Sequence, residues 1–425
     1  MRDAGCGMRV ADYVAWRLSI GVLLFLSAGA AAGQSVPPLP RVVPIEGDAS
    51  AARVERIGAD WTVHLRTGGS TRAVPAKDLV RWGDYTDSFR LMHVVLADGS
   101  LLAAEIAHLA DEKLAVDGEL CGRVEIPLAK VRGVVLDPPP SASERDRLWE
   151  AVTAAQGVQD QLVLRNGDVL RGVLKSVSPD AVTPTAGLTL AFAAEGRDLT
   201  IPANKVLAIV LNPALVDAAA KPGFFVRMGF RDGSLLNVTQ VATDGAFARL
   251  TLAPAVQLEL DAELLQTELT LLQPSSDRVV YVSDLEPISY KHIAYLETAW
   301  PLGRDRSAAG GRLRHGGHLV VKGLGMHSAS RVAYRLGGGY RRLDAELALD
   351  DGAGFGGSVV FRVFVADAAD QWKRVYESPV VRGGDAALPI SVDVSHAQAL
   401  ALIVDFADRG DVLDRGAWLN ARLIK

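Results

Sequence analysis

His93-Val-Val-Leu-Ala-Asp98-Gly99-Ser-Leu-Leu-Ala-Ala-Glu-Ile106 decides the fold class. Two apolar runs flank an Asp-Gly pair, the strongest short-range signal for a β-hairpin, and a type I′ turn is expected because Asp and Gly tolerate positive φ. Further on come Lys113-Leu-Ala-Val116 and then Val124-Glu-Ile126-Pro127, with a closing apolar run Val131 to Leu136. Proline cannot donate to a sheet ladder, so Pro127 is expected to end a strand or begin a turn.

The same order recurs along the chain, which marks an internal repeat. Leu162-Val-Leu-Arg-Asn166-Gly167 leads through Ile201-Pro202 to Val206–Leu211, and Phe230-Arg-Asp232-Gly233 leads to Leu258-Glu-Leu260, with Asp261 where the others have Pro. A degenerate copy precedes them, with Trp61-Thr-Val-His-Leu65 and Val74-Pro75. Short strands at this density suggest small SH3- or Sm-like barrels, and a continuous sheet assembled from paired copies is the other arrangement that the periodicity allows. Ser143 as N-cap and Gly157 after the end bound a helix between copies, with Leu148, Trp149 and Val152 as its apolar stripe.

Composition agrees with a β protein that is not a nucleic-acid binder. Of 425 residues 49% are hydrophobic but only 6% aromatic, and the net charge of -5 comes with Lys and Arg dispersed rather than clustered. Arg2, Arg9 and Arg17 precede the apolar run Leu18–Leu26 and the small residues 27–33, which is the order of a secretory signal; the run is too short to span a bilayer. An exported chain, secreted or held in the periplasm or cell envelope, with no membrane span after cleavage is therefore expected. Cys6 would leave with the leader, and Cys121, without a partner, is expected to be a small buried hydrophobe. No His-Glu-x-x-His, Gly-x-Ser-x-Gly or Walker loop occurs, so no enzyme is expected.

The C-terminal third carries a more specific pattern: Trp300-Pro-Leu-Gly-Arg-Asp305, then Lys322-Gly323-Leu-Gly325-Met-His327-Ser, then Asp350-Asp351 after an apolar strand, and finally Asp414-Arg-Gly-Ala-Trp418. These segments resemble the NPCBM family of carbohydrate-binding modules. Arg415 stands where members commonly have His, and Ser328 where Ala is frequent. The resemblance implies a galactose-binding-like jelly-roll β-sandwich, so the whole chain is expected to be all-β, with SH3/Sm-like barrel repeats followed by that sandwich. The expected division is a leader at 1–33, two barrel-like repeats at 41–140, a linker helix at 141–160, further repeats at 161–212 and 222–275, and the sandwich at 281–425.

Candidate sugar contacts are Trp300, His327, Trp372 and Trp418, because an aromatic face can stack on a sugar ring and an imidazole can bond a hydroxyl. Trp418 lies in an alternating strand pattern and His327 in a glycine-rich segment, so both also fit structural roles. Asp350, Asp351 and Asp414 are candidate ligands for a structural calcium, a hard cation that prefers clustered oxygens. No other cofactor is expected. Two functions remain open: glycan or glycoconjugate binding, and structural or protein-interaction duty with other envelope proteins.

Overall fold

The computed structural model describes residues 39–179, 187–218, 223–294, 299–408 and 410–425. The expected leader, 1–33, lies outside the described residues. The protein is nearly all β, and its two halves differ in how their sheets close.

In the first half, four stretches each end with a strand that pairs antiparallel with the stretch's own first strand. Arg41–Pro44 pairs with Leu79–Gly83, His93–Leu96 with Val131–Val135, Asp160–Leu164 with Val206–Val210, and Val226–Phe230 with Leu269–Pro274. First-to-last pairing is what closes a small barrel. Strands also pair between stretches: Val131–Val135 with Val206–Val210, and Leu269–Pro274 with Leu79–Gly83. Buried side chains from Val42 to Leu272 form one continuous core. Barrel closure and a continuous sheet therefore coexist.

The hairpin turns are not type I′. Gly99, Gly167 and Gly233 have φ of +84°, +91° and +103°, whereas the preceding Asp98, Asn166 and Asp232 do not adopt positive φ. The Gly99 amide donates to Leu96 O and the Leu96 amide to Ser100 O; the same pair of bonds recurs at Leu164–Asp168 and Phe230–Ser234. This is a three-residue loop with glycine at the left-handed position. The Asp or Asn is selected for a different reason: its Oδ1 accepts the amide two residues on, at Ser100, Asp168 and Ser234.

The prolines act as expected. Pro75, Pro127 and Pro202 each end a strand and precede a 3-10 turn, Ala76–Asp78, Leu128–Lys130 and Ala203–Lys205. Where Asp261 replaces Pro, its side chain accepts the Glu263 amide at 2.8 Å and caps a true α-helix, Ala262–Thr267.

Gly133 lies where Val131–Val135 pairs with a strand on each side, opposite Val95 and Val210. A Cβ there would collide with Ile209 O and press on Val152. Gly133→Ala is expected to cost about 1–3 kcal/mol through overpacking, seen as a lower urea midpoint with an unchanged slope.

The helix runs Ala142–Thr153, so Ser141 rather than Ser143 stands at its N-cap position. It is not a free spacer: Leu148 and Val152 are buried with Val95, Val135, Ala208 and Val210, and half-buried Trp149 packs on the same group. Cys121 is buried, and burial pushes its thiol up to about 12.

The second half is a sandwich of two antiparallel sheets. One orders Gly303–Arg304, Gly323–His327, Arg415–Ile424, Arg342–Leu349 and Leu388–Asp393; the other orders Ser289–His292, Ser330–Arg335, Ala399–Phe406, Ser358–Ala366 and Trp372–Glu377. Alternating residues of both, among them Leu324, Leu343, Leu347, Phe361, Leu402 and Trp418, fill the space between. Strand Arg415–Ile424 is buried on its outer face too: Leu419 and Ala417 lie under Leu313, and Ile424 joins Val43, Ile45 and Val80 of the first barrel.

Ionic contacts add to this join. Asp87, which follows the first barrel, and Asp146 of the helix together receive Arg145, Arg312 and Arg314, with N–O distances of 2.6–3.1 Å and side chains 4–12% exposed. Arg81 reaches Glu346 at 3.2 Å, and Arg342 reaches Glu46 at 2.9 Å.

Candidate functional site

At one end of the sandwich the chain crosses from sheet to sheet. Strand Gly323–His327 belongs to one sheet and Ser330–Arg335 to the other, so His327 and Ser328 occupy the crossing. His292 pairs with Ser330, His327 with Arg415, and Val359 with Phe406, which brings the ends of four further strands to the same place.

Three aromatic rings meet there. The Trp300 indole stacks on His327 with centroids 4.6 Å apart and planes 4° from parallel, and His292 meets His327 edge-on at 5.8 Å. Hydrogen bonds fix the rings. His292 Nε2 donates to Ser328 O at 3.0 Å while its Nδ1 accepts the Trp300 amide at 3.2 Å, a pattern that needs the neutral ring. His327 Nδ1 donates to the same Ser328 carbonyl at 2.9 Å, so in the neutral ring its Nε2 is an acceptor. Tyr290 Oη donates to Trp300 O at 2.9 Å.

His327 is buried and Trp300 half-buried. One face of the indole lies against the imidazole. The platform is thereby held in place before any ligand arrives, which lowers the ordering cost of binding.

Asp414 lies beside this group, fully buried; its Oδ1 accepts the Ser358 amide at 2.8 Å and its carbonyl accepts the Ser328 amide at 3.2 Å. Burial pushes its carboxyl above the usual Asp value, against the opposing pull of the Ser358 amide. Asp414 Oδ2 and Ser328 Oγ are buried with no well-formed hydrogen bond among the described residues. The same end carries an apolar rim, with Phe355 92%, Val412 65% and Phe406 52% exposed. Leu413 lies against Gly356, and the Phe355 ring against Gly384.

The other candidates fall elsewhere. Trp372 is exposed but pairs with Ala366, at the opposite end of the sandwich from Trp300. Trp418 is fully buried, edge-on to Phe361 at 5.1 Å, in the core between the sheets. Asp350 and Asp351 share the end with His327, but their oxygens are engaged. Asp350 accepts the amides of Gly352 and Arg314, and Asp351 those of Gly316 and Gly317, at 2.8–3.1 Å. Among the described residues no group of three His, Cys, Asp or Glu is placed to hold a metal ion.

Sequence reasoning missed His292, Tyr290 and the rim. His292 ends the strand Ser289-Tyr-Lys-His292 and has no local signal for its role, since its partners lie 8 and 36 residues away.

Comparison with known proteins places the resemblance on the same segment. The NPCBM/NEW2 domain model matches residues 278–424. A curated protein of Renibacterium salmoninarum, named "Putative endo-alpha-N-acetylgalactosaminidase", is 29% identical over 153 residues, which is 36% of this chain and 10% of that protein. The chain thus spans about a tenth of that relative's length. Among solved structures, the CBM51-2 and INT domains of Clostridium perfringens ZmpB are 23% identical with a TM-score of 0.31, covering 48% of this chain and 38% of theirs. The CBM51 module of Clostridium perfringens GH95, solved with methyl-galactose, is 22% identical with a TM-score of 0.30, covering 34% of this chain and 99% of its own. Among the described residues no helix is long and apolar enough to cross a membrane.

Proposed function

From an NPCBM/NEW2 match over residues 278–424, we propose that the protein is an exported, non-catalytic glycan-binding protein whose site is the sandwich end around Trp300 and His327. The match supports a carbohydrate-binding module. The observation that carries the location is the half-exposed Trp300 indole, locked by stacking on a buried imidazole. An indole face suits the apolar face of a pyranose ring, and His327 Nε2, in the neutral ring, offers an acceptor for a hydroxyl. The four barrel units act as repeated modules that carry and orient the sandwich, and no cation is assigned a part in binding.

The test is a glycan array probed with the full chain, with and without EDTA, beside Trp300→Ala. Specific hits that survive EDTA and vanish in the variant support the reading. A folded chain with no hits removes it. The exposed Phe355, Val412 and Phe406 favour a second reading, in which this end contacts a protein partner of the cell envelope.

A further inference from the structure

We infer that a second site, a cavity between the barrels and the sandwich, binds a small organic anion through Arg227. The cavity, about 300 Å³, is bounded by the Asp98-Gly99 turn, by Arg227, Leu235 and Asn237 of the last barrel, by Trp149 of the helix, and by residues 304–306 and 319–322 of the sandwich. That volume is at the lower end of the range of small-molecule clefts. Its lining joins an apolar part, with Leu101, Leu235 and Val320, to a strongly cationic one.

Five cations and two carboxylates face it. Four of the cations already have carboxylate partners: Arg304 meets Glu286 at 2.9 Å, Arg306 meets Glu150 at 2.7 Å, Arg312 meets Asp146 at 2.7 Å, and Lys322 meets Asp305 at 2.9 Å. Arg227 differs. Its Nε donates to Asn237 Oδ1 at 3.0 Å, and its terminal nitrogens have no acceptor and no carboxylate within ion-pair distance among the described residues.

The carboxylates are spoken for as well. Asp98 takes the amide and hydroxyl of Ser100 and the Asn237 side chain, and Asp305 takes the Gly323 amide and Lys322. Burial therefore acts on Arg227 as on an unpaired charge, pulling its pKa below the usual arginine value against the distant pull of Asp305. A guanidinium with a free planar fork in an apolar-backed cavity matches a carboxylate, sulfate or phosphate group. The Trp149 ring, with Arg312 5.7 Å above its centroid, offers a flat wall for the rest of the ligand.

Thermal shift and calorimetric titrations of the full chain at constant ionic strength test this, with acetate, sulfate and glucuronate as probes and glucose as the neutral control. Saturable stabilisation by at least one anion and none by glucose is expected. Arg227→Gln should weaken that binding about tenfold or more while leaving the ligand-free melting temperature equal or higher, because it removes a partly buried charge that has no carboxylate partner among the described residues. A merely structural arginine would lower it. Trp300→Ala should keep the anion response, which separates this cavity from the proposed glycan site. Should Arg227→Gln fail to fold, Arg306→Gln is expected to weaken the same binding several-fold. No saturable response to any of the three anions, or an undiminished response in these variants, overturns the assignment.

Discussion

Replacing Trp300 with alanine is expected to weaken binding of any glycan found on the array by at least about tenfold, or about 1.4 kcal/mol, with no comparable loss in stability. Trp300 is half-buried and outside the sandwich core, so its removal costs little packing, whereas a ligand would lose the one ring face that is already fixed in place. Trp372→Ala serves as the control. That side chain lies at the opposite end of the sandwich, so affinity should stay within about twofold of the parent. Titration calorimetry on the full chain measures both. Equal losses in the two variants would place the site elsewhere.

The second large effect concerns the join between barrels and sandwich. Asp146→Ala should destabilise the chain by about 3–5 kcal/mol, because it leaves Arg312 and Arg314 buried with half of their neutralising charge gone. Urea denaturation measures it. By contrast, Arg374→Ala breaks an exposed pair with Glu377 and should cost no more than about 1 kcal/mol.

The same network sets a pH dependence. Burial raises the Asp87 carboxyl, but hydrogen bonds from Arg314 and Arg145 and the charge of Arg312 outweigh it, so its folded pKa is well below the ordinary value; Asp146 is lowered in the same way by Arg314 and Arg312. A depressed folded pKa means stability that is present above the unfolded Asp value near ~3.9 and is lost as pH falls below it. The urea midpoint should therefore drop between about pH 5 and pH 2, and drop less in Asp87→Asn, which has already lost one of these carboxylates.

What could be read from the sequence depended on range. The Asp-Gly and Asn-Gly hairpins and the Ile-Pro steps depend on neighbours within a few residues, so the strand order of each barrel was legible. The turn type was not, because Asp98 and its equivalents could serve either by positive φ or by capping Ser100, and only backbone geometry separates the two. Asp261 in place of Pro was visible as a departure, yet its consequence, a capped helix, needed the bond to Glu263.

The candidate site was legible in part. Trp300 and His327 could be named singly, but their stacking joins a loop to the end of a strand 27 residues on, and the Ser328 carbonyl that receives both imidazoles carries no side-chain signal at all. Asp350 and Asp351 are candidate calcium ligands by sequence, and the structure gives their oxygens to the backbone amides of Arg314, Gly316, Gly317 and Gly352. The network of Asp87, Asp146 and three arginines spans more than 200 residues of sequence, beyond the reach of any local pattern.

A glycan site at Trp300 can be followed through the indole N–H resonances of the full chain as an array hit is titrated in. The Trp300 signal, assigned by its loss in Trp300→Ala, is expected to move in step with saturation while those of Trp372 and Trp418 hold their places. Saturation with the Trp300 signal unmoved would place the glycan site elsewhere.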